Sequence, residues 1–140
     1  MNMVKLLIGE KGTGKTKKLL EAVDVALKNS KGNVICVEKD DLLRYQVSYR
    51  VRLIAAANFG ISGYEAFYGF LSGLCAGDHD VTDILVDATL KIGGRDYEQL
   101  AAFLQKISRL SELTDTAFTF TVSTDRENLP DSILKICEVE

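Results

Sequence analysis

Apolar residues along this chain gather in short unbroken runs, separated by segments in which they return every three or four positions. The first run, Met3 to Ile8 (MVKLLI), is closed by Gly9, and a run of that length against a glycine predicts a buried strand. A polar stretch, GEKGTGKT, follows it. From Lys15 to about Asn29 the residues Leu19, Leu20, Val23, Ala26 and Leu27 recur at helical spacing, which predicts a helix with one buried stripe. Asn29, Ser30, Lys31 and Gly32 then stop it. Val34 to Val37 (VICV) is apolar at every position, as in a strand covered on both faces. Strand, helix, strand in this order predicts a parallel pair with a right-handed crossover.

Tyr45 to Leu53 alternates strictly, with Tyr45, Val47, Tyr49, Val51 and Leu53 on one side and Gln46, Ser48, Arg50 and Arg52 on the other, predicting a half-exposed strand. Tyr64, Phe67, Tyr68, Leu71, Leu74 and Cys75 fall at helical spacing. Gly69, Gly73 and Gly77 repeat every four residues on that helix and are expected to let it approach a neighbour closely. Ile84 to Val86, ending in Asp87, predicts a third core strand; Leu100, Phe103, Leu104, Ile107 and Leu110 predict an amphipathic helix; Ala117 to Val122 predicts a fourth strand. The only proline, Pro130, lies in a polar turn before Ile133 to Val139, expected as a fifth strand. The pattern as a whole is that of a three-layer α/β domain with five mainly parallel strands. Without linker, repeat or low-complexity segment, residues 1–140 are expected to form a single domain.

Composition narrows the class. At 140 residues, 46% hydrophobic and 26% charged, the chain suits an ordinary soluble globular domain with a full core. No stretch approaches the ~20 apolar residues that cross a bilayer, and the start meets Glu10, Lys11 and Lys15 before a signal-peptide core could form. The expectation is a cytoplasmic protein without membrane contact. Seventeen basic against twenty acidic residues give a net charge of -3, which argues against nucleic acid as a partner. Cys36, Cys75 and Cys137, odd in number and set in apolar sequence, suit reduced buried thiols, and the lone His79 with Cys75 does not make a metal site.

The chemistry concentrates between the first strand and the first helix. Gly9, Glu10, Lys11, Gly12, Thr13, Gly14, Lys15 and Thr16 satisfy G-x-x-x-x-G-K-[ST] at every fixed position, in the strand-to-helix setting that the motif requires. Glycines allow consecutive backbone N–H groups to curl around a phosphate chain, and the helix N-terminus adds partial positive charge. Lys15 supplies a full charge for the β- and γ-phosphates, and the Thr16 hydroxyl suits Mg²⁺, which takes oxygen ligands and keeps most of its waters.

On these residues the chain resembles the P-loop NTPases, and its order of strands and helices resembles the RecA-like branch. The resemblance implies a nucleotide at the carboxyl ends of the strands and a strand order of 5-1-4-3-2. It implies ATP and Mg²⁺ as ligands, with Asp87 at the tip of Ile84, Leu85, Val86 as the second metal-holding residue beside Thr16. Ala88 stands where many ATPases carry a glutamate, so a water-orienting group is sought elsewhere: Glu38 or Asp40, at the end of the second strand, and Ser123 or Thr124, at the end of the fourth, as a sensor of phosphate or water. Together with Lys15, the residues Glu38, Asp40 and Ser123 form the candidate catalytic set. Arg50 and Arg52 share the polar side of the alternating segment, as solvated charges or as arginine fingers toward a second subunit.

Three functional readings follow. The first is a small cytosolic Mg²⁺-dependent ATPase; the second is a nucleotide-dependent regulatory module that hydrolyses slowly or not at all; the third is a small-metabolite kinase, for which Arg44 to Gly77 is the only segment large enough to be a lid. ATP is preferred over GTP because no Asn-Lys-x-Asp guanine motif is present. A homo-oligomer or a protein partner is compatible with each reading.

Overall fold

The computed structural model describes residues 3–140; Met1 and Asn2, part of the expected domain, lie outside the described residues. The first apolar run forms β1 (Val4–Gly9) and the periodic segment after it forms α1 (Lys15–Asn29). β2 (Asn33–Glu38) and β3 (Arg52–Ala55) come next, then α2 (Tyr64–Gly77), β4 (Val81–Asp87) and the short α3 (Thr89–Gly93). α4 (Tyr97–Thr114), β5 (Ala117–Ser123), α5 (Asp131–Ile136) and β6 (Glu138–Val139) complete the chain. The strands make one sheet, in the order β3-β2-β4-β5-β1-β6, in which all neighbours are parallel.

Five of these strands stand in the order expected, with β5 between β1 and β4; the sixth, β3, adds an edge beside β2. Successive residues of each central strand face opposite layers. Leu7, Val34, Cys36 and Leu85 pack with Leu19 and Val23 of α1 on one face. Leu6, Ile35, Val37, Ile84 and Val86 join Phe67 of α2, Phe103 of α4 and Ile133 of α5 on the other. Phe67 stacks on Phe103 at 4.9 Å between ring centroids, and Phe120 meets Phe103 edge-on at 5.7 Å. The three layers expected from the pattern are therefore built by α1, the sheet, and the group α2, α4 and α5.

Three local expectations are corrected. Tyr45 to Leu53 is not a strand: residues 43–51 wind through turns closed by Gln46 N–H to Leu43 C=O and Val51 N–H to Ser48 C=O, and extended pairing begins only at Arg52. Leu43, Val47 and Val51, four residues apart, pack toward α1, whereas Tyr45 and Tyr49 are 94% and 96% exposed. The alternation was a by-product of a second apolar series with a period of four. Ile133 to Val139 is not one strand, because Pro130 and Asp131 start α5 and leave only Glu138–Val139 to pair with β1. On α2, a Cβ placed at Gly69, Gly73 or Gly77 would meet nothing within 4 Å, so these glycines form an open face, not a close contact.

Candidate functional site

The loop between β1 and α1 is shaped by its glycines. Gly12 and Gly14 have φ of 86° and 87°, in the left-handed region that disfavours a side chain, and Gly14 stands as the residue before the first turn of α1. Gly9 runs beneath Thr13, where a Cβ would lie 2.5 Å from Thr13 Oγ1. The Glu10 carbonyl ties the loop together: it accepts from Thr13 N–H at 3.2 Å, from Thr13 Oγ1 at 2.7 Å and from Lys15 Nζ at 2.8 Å. No acidic residue occupies the first turn of α1 itself.

Asp87, at the carboxyl end of β4, reaches the same place from the sheet. Thr16 Oγ1 donates to Asp87 Oδ2 at 3.2 Å, and Thr121 Oγ1 on β5 donates to Asp87 Oδ1 at 2.7 Å. Thr121 in turn accepts from Ala88 N–H at 2.9 Å. Ala88 itself has φ of 73°, a strained value for alanine, and this turn swings the chain from β4 into α3. Thr121 thus holds both the carboxylate and the strained residue behind it. The Thr16 hydroxyl and the Asp87 carboxylate are adjacent hard oxygen donors beside the loop, and one carboxylate with one hydroxyl fits a magnesium ion that takes its remaining ligands from water and phosphate. Among the described residues no cluster of three His, Cys, Asp or Glu offers an all-protein metal cage.

One cavity of about 430 Å³ gathers these groups. Lys11, Gly12, Gly14, Lys15 and Thr16 line it from the loop, Asp87 and Ala88 from β4, and Thr121 and Ser123 from β5. Leu90, Lys91 and Arg95 close it from α3 and the turn that follows. Four cations against one carboxylate make it locally positive in a chain of net charge -3. Of the candidate site residues, Gly9, Glu10 and Thr13 of the loop, and Glu38 and Asp40, do not line this cavity. Glu38 lies opposite Asp87 in the β2–β4 register, but its carboxylate accepts from the Leu42 and Leu43 amides, Oε1 at 2.8 Å from the first. Burial, and behind it the charges of Asp41 and Asp87, hold Glu38 above the ordinary glutamate range, against the lowering effect of those two amides. Asp40 is exposed in the loop beyond β2.

Ser123 is half-buried at the cavity and stands level with Gly9 across the β1–β5 pair. Thr124 is turned inward, its Oγ1 at 2.6 Å from the Tyr97 hydroxyl. Lys91, Arg95 and Thr121 were not singled out from the sequence. A threonine in an apolar strand and basic residues on a short helix carry no local signal; the pair Gly93-Gly94 before Arg95 was the one available hint of a constrained turn.

No protein-family model matches the sequence, and no curated protein is similar enough to it to count as a match. Solved structures do share its fold. C. elegans PCH-2 superposes with a TM-score of 0.58 at 16% identity, over 99% of this chain and 34% of PCH-2. The flagellar accessory protein FlaH from Methanocaldococcus jannaschii gives 0.58 at 17% identity, over 96% of this chain and 66% of FlaH. The chain therefore spans about a third of the first and just under two thirds of the second. At these identities the likeness is one of fold alone, an α/β domain around a parallel six-stranded sheet.

Proposed function

We propose that residues 1–140 form a single Mg²⁺-dependent ATP-binding domain that acts as a small cytosolic ATPase. The observation that carries this reading is the cavity in which the glycine loop, Lys15, Thr16 and Asp87 converge at the carboxyl ends of β1 and β4. In it the loop amides and the α1 N-terminus receive the phosphate oxygens of the nucleotide, and Lys15 exchanges its bond to Glu10 for the β- and γ-phosphates. Thr16 and Asp87 would hold Mg²⁺, which would supply neutralisation of phosphate charge. Thr121 orients Asp87 for that task, and Ser123, which lines the cavity, is the proposed sensor of the terminal phosphate or the attacking water. Glu38 and Asp40 are the groups proposed to orient water; Glu38 does so only if its carboxylate leaves the Leu42 and Leu43 amides.

A second reading, a nucleotide-dependent regulatory module with slow or absent hydrolysis, draws on that same commitment of Glu38 and on Ala88 following Asp87. The kinase reading loses its lid: within Arg44 to Gly77, Ile54, Tyr64, Phe67 and Leu71 are buried in the core. In an assembly, Arg50 and Arg52, at the edge of the sheet by β3, would be the residues to present to a second subunit.

Lys15→Ala should keep the fold, because Lys15 is bonded to the loop and not packed in the core, while weakening Mg-ATP binding by about tenfold or more. Calorimetry with wild type and variant checks this, and equal affinities would count against the site. Asp87→Ala should selectively abolish the Mg²⁺ dependence of binding. Phosphate release from Mg-ATP at several protein concentrations then separates the ATPase from the regulatory module, with Lys15→Ala as the control.

A further inference from the structure

β3 ends the sheet. Its inner side pairs with β2, Arg52 level with Ile35 and Ala55 level with Glu38, and in such a ladder alternate residues turn their N–H and C=O the other way, here to an edge where no further strand stands. Sheet edges are commonly blunted by a proline or a bulge; β3, Arg-Leu-Ile-Ala, has neither. Of the six large hydrophobic side chains exposed among the described residues, four, Leu42, Tyr45, Tyr49 and Phe59, lie in the segments that flank β3 in the chain.

The two faces of this edge differ. On one, a cavity of about 390 Å³ is lined by Val47, Tyr49, Val51, Leu53 and Phe59, of which Val47, Val51 and Leu53 belong to the core beneath α1. Asp41 and Arg44, also at this cavity, pair with each other. On the other face, a cavity of about 430 Å³ is lined by Arg50 and Arg52 with Ile35 and Leu74, which belong to the core beneath α2. The one carboxylate there, Asp78, accepts from Asn33 Nδ2 at 2.8 Å and from Asp80 N–H at 2.9 Å. Arg50 and Arg52 are exposed, and among the described residues neither side chain is in an ion pair or a hydrogen bond. β3 therefore runs between an aromatic-walled cavity and two uncompensated arginines.

We propose that the β3 edge is a docking surface for an extended acidic segment of a partner protein, which joins the sheet as one more strand. A strand added here turns successive side chains to opposite faces, so alternate residues enter the cavity of Tyr49 and Phe59 while those between them meet Arg50 and Arg52. The segment that fits alternates apolar residues with aspartate or glutamate. Main-chain hydrogen bonds supply the affinity, and the two unlike faces supply the specificity. Two β3 edges meeting each other would bring the unpaired arginines of both copies to one seam, and a nucleic acid matches the arginines but cannot continue a ladder of N–H and C=O groups. Neither cavity shares a lining residue with the one at the glycine loop, so the proposal stands independently of the nucleotide reading.

The test is fluorescence anisotropy of the full chain with a labelled peptide of about eight residues alternating valine and glutamate. The same peptide with lysine for glutamate and a single-stranded oligothymidylate are run beside it, and hydrogen exchange of β3 is followed with and without the glutamate peptide. The expected result is saturable binding of the glutamate peptide alone, with slowed exchange of amides within Arg52–Ala55. Arg50→Glu/Arg52→Glu should lower its affinity about tenfold or more, and Tyr49→Ser/Phe59→Ser by a smaller factor; all four positions are exposed, so the core is untouched. Equal binding of the lysine peptide, tighter binding of the oligothymidylate, β3 exchange unchanged by the glutamate peptide, or no binding of that peptide overturns the proposal. So does self-association of the free chain that already protects these amides, which would make a second copy the occupant.

Discussion

Glu38 is a glutamate 3% exposed at the end of a central strand, facing the register position of Asp87 and bonded to two backbone amides. Burial raises its proton affinity above the ordinary value of 4.5, so the folded chain keeps this proton to higher pH than the unfolded chain does. Below that ordinary value both states are protonated, and the stabilisation from the neutral carboxyl is fully present and does not vary with pH. As pH rises from there through the raised value, the unfolded state releases its proton first, and the stabilisation is lost. Glu38→Gln cannot titrate, so its urea-unfolding free energy, followed from about pH 4 to 8, should lack the fall that wild type shows across that window. Parallel profiles would mean that Glu38 is not perturbed. From the sequence this residue read as one of several acids at a strand end; its burial and its bonds to Leu42 and Leu43 depend on how residues 39–43 fold back, which no local pattern encodes.

Among the elements, α2 shows how spacing can mislead about packing. Gly69, Gly73 and Gly77 have the repeat of a close helix contact, yet they lie on an open face, while a glycine that does permit close approach to α2 is Gly93, in contact with Tyr64 at its start. Gly93→Ala should therefore destabilise the protein by about 1–3 kcal/mol through overpacking against Tyr64, whose ring also meets Phe103. Gly73→Ala, on an exposed helical position with free space, should stabilise it by up to about 1 kcal/mol. Denaturant titration of the two variants reads both signs, and a destabilising Gly73→Ala would show that the open face is occupied. The helices with one clear apolar stripe, α1 and α4, were legible to within a few residues, because a long amphipathic period has one good solution. The short elements α3, α5 and β6 were not, since two to six residues fit several periods and only their neighbours select one.

For the whole molecule, the sheet buries its centre from both sides, and all three thiols go with it. Cys36 faces α1, while Cys75 and Cys137 lie under the opposite layer, each at 4% exposure or less. Burial pushes Cys36 up to about 12, with Glu38 and Asp87 adding to it, and burial alone takes Cys137 to the same level, so neither offers a thiolate at neutral pH. A thiol reagent should leave the folded protein unlabelled and modify all three cysteines together as denaturant unfolds it. Mass spectrometry along the unfolding curve checks this, and rapid labelling of the native protein would contradict the packing described.

The sequence by itself determined the layered α/β class, the four core strands β1, β2, β4 and β5, and the glycine loop from Gly9 to Thr16. Each of these is written in contiguous residues: apolar runs long enough to need two covering layers, and glycines where the backbone must turn with φ above zero. Tertiary structure alone decided that β3 joins as an edge, that residues 43–51 coil over α1 with Tyr45 and Tyr49 exposed, and that Thr121, Lys91 and Arg95 meet Asp87 at one cavity. These residues are far apart in the chain and chemically ordinary. They become a site only because parallel strands bring their carboxyl ends to the same side of the sheet, and that proximity is a property of the packing.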